Sequence, residues 1–365
     1  MQVKAAVLSG REQPFVLKDV ELAEPNADEI LVRIVAVGLC HSDVAVSEGG
    51  LSFPLPGVLG HEGAGIVERV GSDVRAVAPG DHVVLSFDSC GSCGNCQSGT
   101  PSYCDEFAVR NFGGKRPDGT ATLSDQQGEI AGNFFGQSSF AAFALARERN
   151  VVRIDRDLPL EIMGPLGCGI QTGAGAVLKA LECRPGSSIL IAGGGAVGLA
   201  GVMAAAIQGC STIIVVEPVE SRRSLAKQMG ATHCFSPAEA NEAAIRGVVP
   251  QGVDYVLDSS ARSAMLGLAV HVLAKRGVIA MVGVPFSPDE RWPLDFLRIV
   301  RLGATIRGIV EGDANPQSFI PELLDYYRAG RFPFDLMIEQ YPIESINQAI
   351  EDQRRGLATK IVLKL

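Results

Sequence analysis

Cys90, Cys93, Cys96 and Cys104 follow the pattern C-x2-C-x2-C-x7-C inside a stretch rich in glycine and serine. Four thiolates that converge on one point make a closed tetrahedral site, for which zinc, with Zn–S bonds of about 2.3 Å, is the usual occupant. A closed site leaves no position for a substrate, so a metal there holds structure and the chemistry must lie elsewhere. Among the remaining cysteines, Cys40 stands in Gly38-Leu39-Cys40-His41-Ser42-Asp43 and Cys168 in Gly164-Pro165-Leu166-Gly167-Cys168-Gly169. A histidine, His61, stands in Gly60-His61-Glu62-Gly63-Ala64-Gly65. Each is flanked by glycine near the end of an expected strand, where a backbone can bring a short side chain to a cleft. Spacing alone does not decide whether the three converge; taken singly, each also reads as a buried thiol or a satisfied histidine.

A second chemistry is written in Gly193-Gly194-Gly195-Ala196-Val197-Gly198, a G-x-G-x-x-G turn. It follows the apolar run Ser188-Ile189-Leu190-Ile191-Ala192 and opens a helix of small residues expected over 196–209. In that strand–turn–helix setting, glycines permit a tight turn and close backbone approach, and the helix N-terminus faces a pyrophosphate. Glu217 ends the next strand, where a carboxylate accepts hydrogen bonds from the adenine-ribose hydroxyls and repels a 2′-phosphate. NAD is therefore the expected cofactor, with Arg222 and Arg223 close enough to soften the preference over NADP.

These residues need elements to position them. Short β-like runs at 30–37, 65–70 and 82–85, separated by turn signals such as Ala78-Pro79-Gly80-Asp81, predict a compact, mostly β domain over 1–160. A lobe at about 88–106 within it would carry the four cysteines. Over 161–300 the texture changes to apolar strands at 188–192, 212–216, 255–257 and 277–282, alternating with helices at 196–209 and 220–229. That alternation predicts a doubly wound parallel sheet. A helix around 318–329 and a strand at 360–363 occupy a third segment, 301–365.

Composition bounds the rest. With 365 residues, 47% hydrophobic and 20% charged, the chain has the make-up of about two globular domains. A formal charge of −9 argues against nucleic acid. No apolar run reaches spanning length, and residues 1–8 read as a first strand rather than a signal peptide. Nine cysteines, an odd number of which four sit at metal spacing, suit a reducing cytoplasm better than a disulfide framework.

The motifs together resemble the zinc-dependent medium-chain alcohol dehydrogenases, over essentially the whole chain. The resemblance rests on Gly60-His61-Glu62-x2-Gly65-x5-Gly71-x2-Val74, the four-cysteine loop, Cys40, Cys168 and the 193–198 turn, in the expected order. It implies an α/β protein: a GroES-like β-rich catalytic domain, to which the C-terminal segment returns, and a Rossmann domain between. It also implies two zinc ions, one structural and one catalytic on Cys40, His61 and Cys168; alcohol dehydrogenase is itself the known case of this Cys2His set, which spacing does not deduce. A catalytic Zn²⁺ of this kind stabilises an alkoxide, whose carbon gives hydride to the nicotinamide. By the same resemblance Ser42 relays the alcohol proton, Asp43 orients the ligand histidine, and Glu62 stands behind the zinc. His41 and Lys360 would approach the pyrophosphate. Ala45 departs from the pattern, since many members carry a proton-relaying histidine there.

The stretches 167–176, 310–312 and 319–323 resemble the aryl-alcohol (benzyl-alcohol) dehydrogenase branch. Ser86, Phe134 and Val284 match the family's substrate pocket, with Phe53 and Phe87 as possible neighbours, and aromatic walls suit a flat apolar primary alcohol. An allylic terpenol such as geraniol or perillyl alcohol presents the same primary alcohol beside an sp² carbon and stays open. So do S-(hydroxymethyl)glutathione oxidation and, in another class, a non-catalytic NAD-binding protein. Family members associate as dimers or tetramers, and the run near 300–310 could extend a sheet across a two-fold axis. No membrane or nucleic-acid partner is expected.

Overall fold

The computed structural model describes residues 1–284, 291–292 and 294–365. It divides into two compact units: Met1–Cys168 with Asn315–Glu322 and Ile338–Leu365, and Gly169–Ala314 with Leu323–Met337.

The first unit is built on two sheets. A seven-stranded sheet centres on the long strand Glu29–Leu39, which pairs antiparallel with Gly63–Val70, Phe143–Arg147 and Lys360–Lys364. Its β-branched residues alternate with the pleat, and Ile30, Val32, Ile34 and Leu39 enter one core with Val83, Leu85, Ile361 and Leu363. The C-terminal strand thus lies beside the strand that leads into Cys40. A five-stranded sheet, including Gln2–Leu8 paired with Phe15–Leu22, adds Val7, Leu8 and Phe15 to the same core.

The second unit is a six-stranded parallel sheet. Its order is His233–Phe235, Thr212–Val216, Ser188–Ala192, Val253–Asp258, Leu273–Met281, Thr305–Gly308. The central strands Ser188–Ala192 and Thr212–Val216 are buried almost throughout, with both faces covered, which is why their apolar residues read as continuous runs rather than alternating ones. The order reverses at Ser188–Ala192, whose carboxyl end carries the 193–198 turn, the place where open α/β sheets bind ligands. The helix Ala196–Ile207 is buried over most of its length and needs its small residues: a Cβ on Gly201 would sit 2.6 Å from Leu257 Cδ2. Among the described residues, no helix is long and apolar enough to cross a membrane.

Candidate metal centres and dinucleotide turn

Cys40 ends the strand Glu29–Leu39 and caps the helix His41–Glu48. Asp43, at the third helical position, turns back to accept the Cys40 backbone N–H (2.9 Å) through Oδ2. Its other oxygen accepts Gly60 N–H (3.0 Å) and faces His61 Nδ1 at 3.2 Å. One buried carboxylate therefore fixes the backbone of both ligand-bearing segments and the tautomer of the histidine: Nδ1 carries the proton toward Asp43, leaving Nε2 as the donor atom.

Cys168 reaches the same place from the turn 164–168. The glycines around it permit close approach; a Cβ on Gly167 would fall 1.9 Å from Leu85 O. The ligand atoms of Cys40, His61, Glu62 and Cys168 all lie within 4.8 Å of one another. His61 Nε2 is buried and makes no hydrogen bond among the described residues. A buried imidazole nitrogen without a hydrogen-bond partner beside two thiols is a donor set suited to zinc. Glu62 is drawn off by Lys360, whose Nζ lies 2.5 Å from Glu62 Oε2 and also donates to Leu39 O (3.0 Å). Lys360 is only 2% exposed, so its ammonium sits in the interior behind the cluster.

Electrostatics within the cluster are mutual. The hydrogen bond with Cys168 holds the Cys40 thiol well below its ordinary value, against burial, with help from His61 and Lys360. Burial opposes charge on His61, but Asp43 and Cys40 outweigh it and the shift is upward. Burial raises Glu62 despite Lys360, whereas Glu62 and the thiols overcome burial to raise Lys360.

The remaining candidates of the first unit lie in its core and on the helix that follows Cys40. Ser42 lies 4.0 Å from Cys40 Sγ through its Oγ, His41 begins the helix half-buried, and Ala45 is buried. Phe134 packs edge-on against both Phe53 (4.9 Å) and His61 (5.2 Å). Ser86 donates to Gly167 O (2.6 Å), and Phe87 packs on Phe107 (5.7 Å). Val284 belongs to the second unit, 40% exposed. Sequence reasoning missed Phe135, which stacks on His61, and Gln137, which bonds His61 O and Gly63 N. The flanking Asn133 and Gly136 marked a turn, but no spacing rule pointed it at the histidine.

The four other cysteines form a second cluster, with all four sulfurs within 4.8 Å. Gly91, at φ +70, lies inside the loop, a backbone conformation that a side chain would strain, and the Arg149 guanidinium fills the space beside it. Hydrogen bonding from Ser92 pulls the Cys90 thiol down to about 6, and burial pushes Cys104 up to about 12.

In the second unit the dinucleotide turn has two kinds of glycine. Gly193 has φ +97, and a Cβ on Gly198 would fall 1.9 Å from Gly193 O, so these two serve the turn itself. Gly195 faces open space at the start of the helix, room that a phosphate's approach requires. Ala196 and Val197 follow as the first helical residues. Glu217 accepts Gly194 N–H (2.6 Å) and Val219 N–H (2.9 Å), tying the turn to the neighbouring strand end. Arg222 lies half-buried on the helix that follows.

A parallel nucleotide-type sheet and a β-rich unit carrying a thiolate–imidazole cluster are the parts of a dinucleotide-linked metalloenzyme. Residues 26–156 match the alcohol dehydrogenase GroES-like domain and 196–327 the zinc-binding dehydrogenase domain. The chain belongs to the zinc-dependent alcohol dehydrogenase family, whose cofactors are Zn²⁺ and NAD and whose members act on alcohols and aldehydes. It is 45% identical to a geraniol dehydrogenase of Castellaniella defragrans, over all of this chain and 98% of that one. Benzyl alcohol dehydrogenase of Acinetobacter calcoaceticus is 43% identical and superimposes with a TM-score of 0.97, covering 100% and 99% of the two chains. An alcohol dehydrogenase zinc-binding domain protein from Burkholderia ambifaria is 47% identical with the same TM-score and the same coverage.

Proposed function

We propose that this enzyme oxidises primary alcohols whose carbinol carbon adjoins an sp² carbon, benzylic alcohols first, to their aldehydes with NAD. Cys40, His61 and Cys168 are the residues assigned to the catalytic zinc, and Cys90, Cys93, Cys96 and Cys104 to the structural one. When bound, the catalytic zinc supplies Lewis acidity toward the substrate oxygen, and the nicotinamide takes the hydride. Ser42 would relay the alcohol proton, its Oγ accepting it while its own hydroxyl proton passes on to the cofactor ribose hydroxyl and water, and Asp43 orients the His61 imidazole. Lys360 holds the Glu62 carboxylate behind the ligands. Gly193, Gly195, Gly198 and the start of the helix seat the pyrophosphate, with Glu217 at the adenine ribose.

The observation that supports the substrate reading is the likeness over the whole chain to a benzyl alcohol dehydrogenase; Phe53, Phe87 and Phe134, expected to line the pocket, are packed in the core at 7%, 2% and 0% exposure. The geraniol dehydrogenase relative favours a second reading, an allylic terpenol, which shares the sp² neighbour. A screen of kcat/KM over benzyl, cinnamyl, geranyl and saturated alcohols, and S-(hydroxymethyl)glutathione, each with NAD and NADP, tests both. Benzylic or allylic alcohols should lead with NAD; preference for saturated alcohols or for the glutathione adduct rejects the proposal. Cys168→Ser should reduce turnover to background while NAD affinity stays within about twofold of wild type. Retained turnover would remove the ligand assignment.

A further inference from the structure

Residues 133–138 form a turn whose backbone is costly. Asn133 (φ 63), Phe135 (φ 50) and Ser138 (φ 55) are all left-handed, along with Gly136 (φ 69). For a bulky side chain such as phenylalanine this conformation is an outlier, and it persists only where the surroundings over-determine it. They do so here. Gln137 Nε2 donates to His61 O (2.9 Å) and Ser86 O (3.0 Å), while its Oε1 accepts Gly63 N–H (3.1 Å) and the Ser139 hydroxyl (2.6 Å). Ser138 Oγ donates to Val58 O (2.6 Å) and accepts Phe134 N–H (2.9 Å).

The product of this strain is one contact. The Phe135 ring lies face to face with the His61 imidazole, centroids 4.3 Å apart and planes 19° from parallel. Phe112 (5.1 Å) and Phe134 (5.0 Å) meet Phe135 edge-on and keep its ring from turning. The Asp43 bond fixes His61 at Nδ1, but a single in-plane bond leaves the imidazole able to tilt about the Nδ1–Oδ1 direction. A ring on its face removes that tilt.

We propose that Phe135 is a positioning residue for the metal centre: held by the strained turn, its ring locks the imidazole plane so that Nε2 stays aimed at the site shared with Cys40 and Cys168. This rests on the reading that those three residues hold zinc. Leucine would fill most of the same volume without stacking, whereas tyrosine would still stack. The test measures loss of zinc to a chelator, and the visible absorption of Co²⁺ exchanged into the site, for wild type, Phe135→Leu and Phe135→Tyr. The Leu variant should release one of its two zinc ions about tenfold faster and shift the Co²⁺ bands, with the other ion unaffected. The Tyr variant should match wild type. Should Phe135→Leu fail to fold, Phe135→Gly, which takes a left-handed φ without strain, replaces it with the same expectation.

Equal behaviour of the stacking and non-stacking variants, both altered or both unaltered, overturns the proposal. Two zinc ions in wild type with an unaltered Leu variant refutes the role of Phe135 alone. A wild type that binds only the four-cysteine zinc refutes the ligand assignment, and this inference with it.

Discussion

Asp43 shows how much a single buried residue can carry. Its carboxylate holds Cys40 N–H, Gly60 N–H and His61 Nδ1 together, and the residue is fully buried. Alanine in its place would strand two buried backbone donors, each costing about 1–3 kcal/mol, so Asp43→Ala should lower unfolding free energy by about 2–6 kcal/mol in a urea titration. It should also weaken zinc binding by about 10–100-fold, read by competition with a chelator. A stable variant with wild-type zinc affinity would show that Cys40 and His61 are placed by their own strands alone. At this scale the sequence was readable where chemistry demands a residue type at a spacing, as in the four-cysteine loop; with those thiols accounted for, Cys40 and Cys168 stood out, but their union with His61 came only from the family resemblance. Phe135 and Gln137 were not readable, because stacking and a side-chain amide bridge arise from tertiary contact and leave no period in the chain. Lys360 was singled out by resemblance as a phosphate-approaching lysine; its observed ion pair with Glu62 and its bond to Leu39 O, 321 residues away in sequence, depend on the pairing of the C-terminal strand with Glu29–Leu39.

Elements are held in place by charge as well as by apolar packing. Glu29 begins the strand that leads to Cys40, and its carboxylate is gripped by Arg116 in a bidentate pair, Nε–Oε1 2.8 Å and Nη2–Oε2 2.9 Å, almost fully buried. Arg147 adds a third contact at 3.2 Å and also bonds Asp28. A buried pair gives little net stability over an apolar substitute, yet removing one partner leaves an uncompensated charge. Arg116→Met should therefore cost about 3–5 kcal/mol, and Glu29→Leu added to it should recover most of that loss, measured by denaturant unfolding of both variants. Equal destabilisation in the double variant would mean that Arg116 acts through its bonds to Glu24 O and Ala121 O instead. The four inner parallel strands were legible because burial on both faces gives them apolar runs, whereas the three-residue edge strand His233–Phe235 was not. The pair Leu123–Asp125 and Gly128–Ile130 escaped notice, being three residues each and partly exposed. The widened turn Ala176–Leu181 escaped as well, since its apolar residues fit an ordinary helix equally.

For the whole molecule, what is left exposed matters most. The helix Phe296–Leu302 buries none of its residues, and Phe296, Leu297 and Val300 are 75%, 56% and 60% exposed. The adjoining strand Thr305–Gly308 is the edge of the parallel sheet among the described residues, where it pairs with Leu273–Met281. An open strand edge beside exposed large apolar side chains is a liability unless a partner covers it. A second copy related by a two-fold axis would cover this face with its own, since an isologous contact lets the same strand and helix serve both chains. We therefore propose a homodimer, or a tetramer built from such dimers, paired through this face. Wild type should give the mass of two or four chains by light scattering at micromolar concentration. Phe296→Asp with Val300→Asp places two charges from each chain into that contact and should halve the mass, without loss of NAD binding, since their helix packs on Leu273–Met281, two strands away from Ser188–Ala192 and its turn. A wild-type monomer, or a double variant of unchanged mass, rejects this face as the interface.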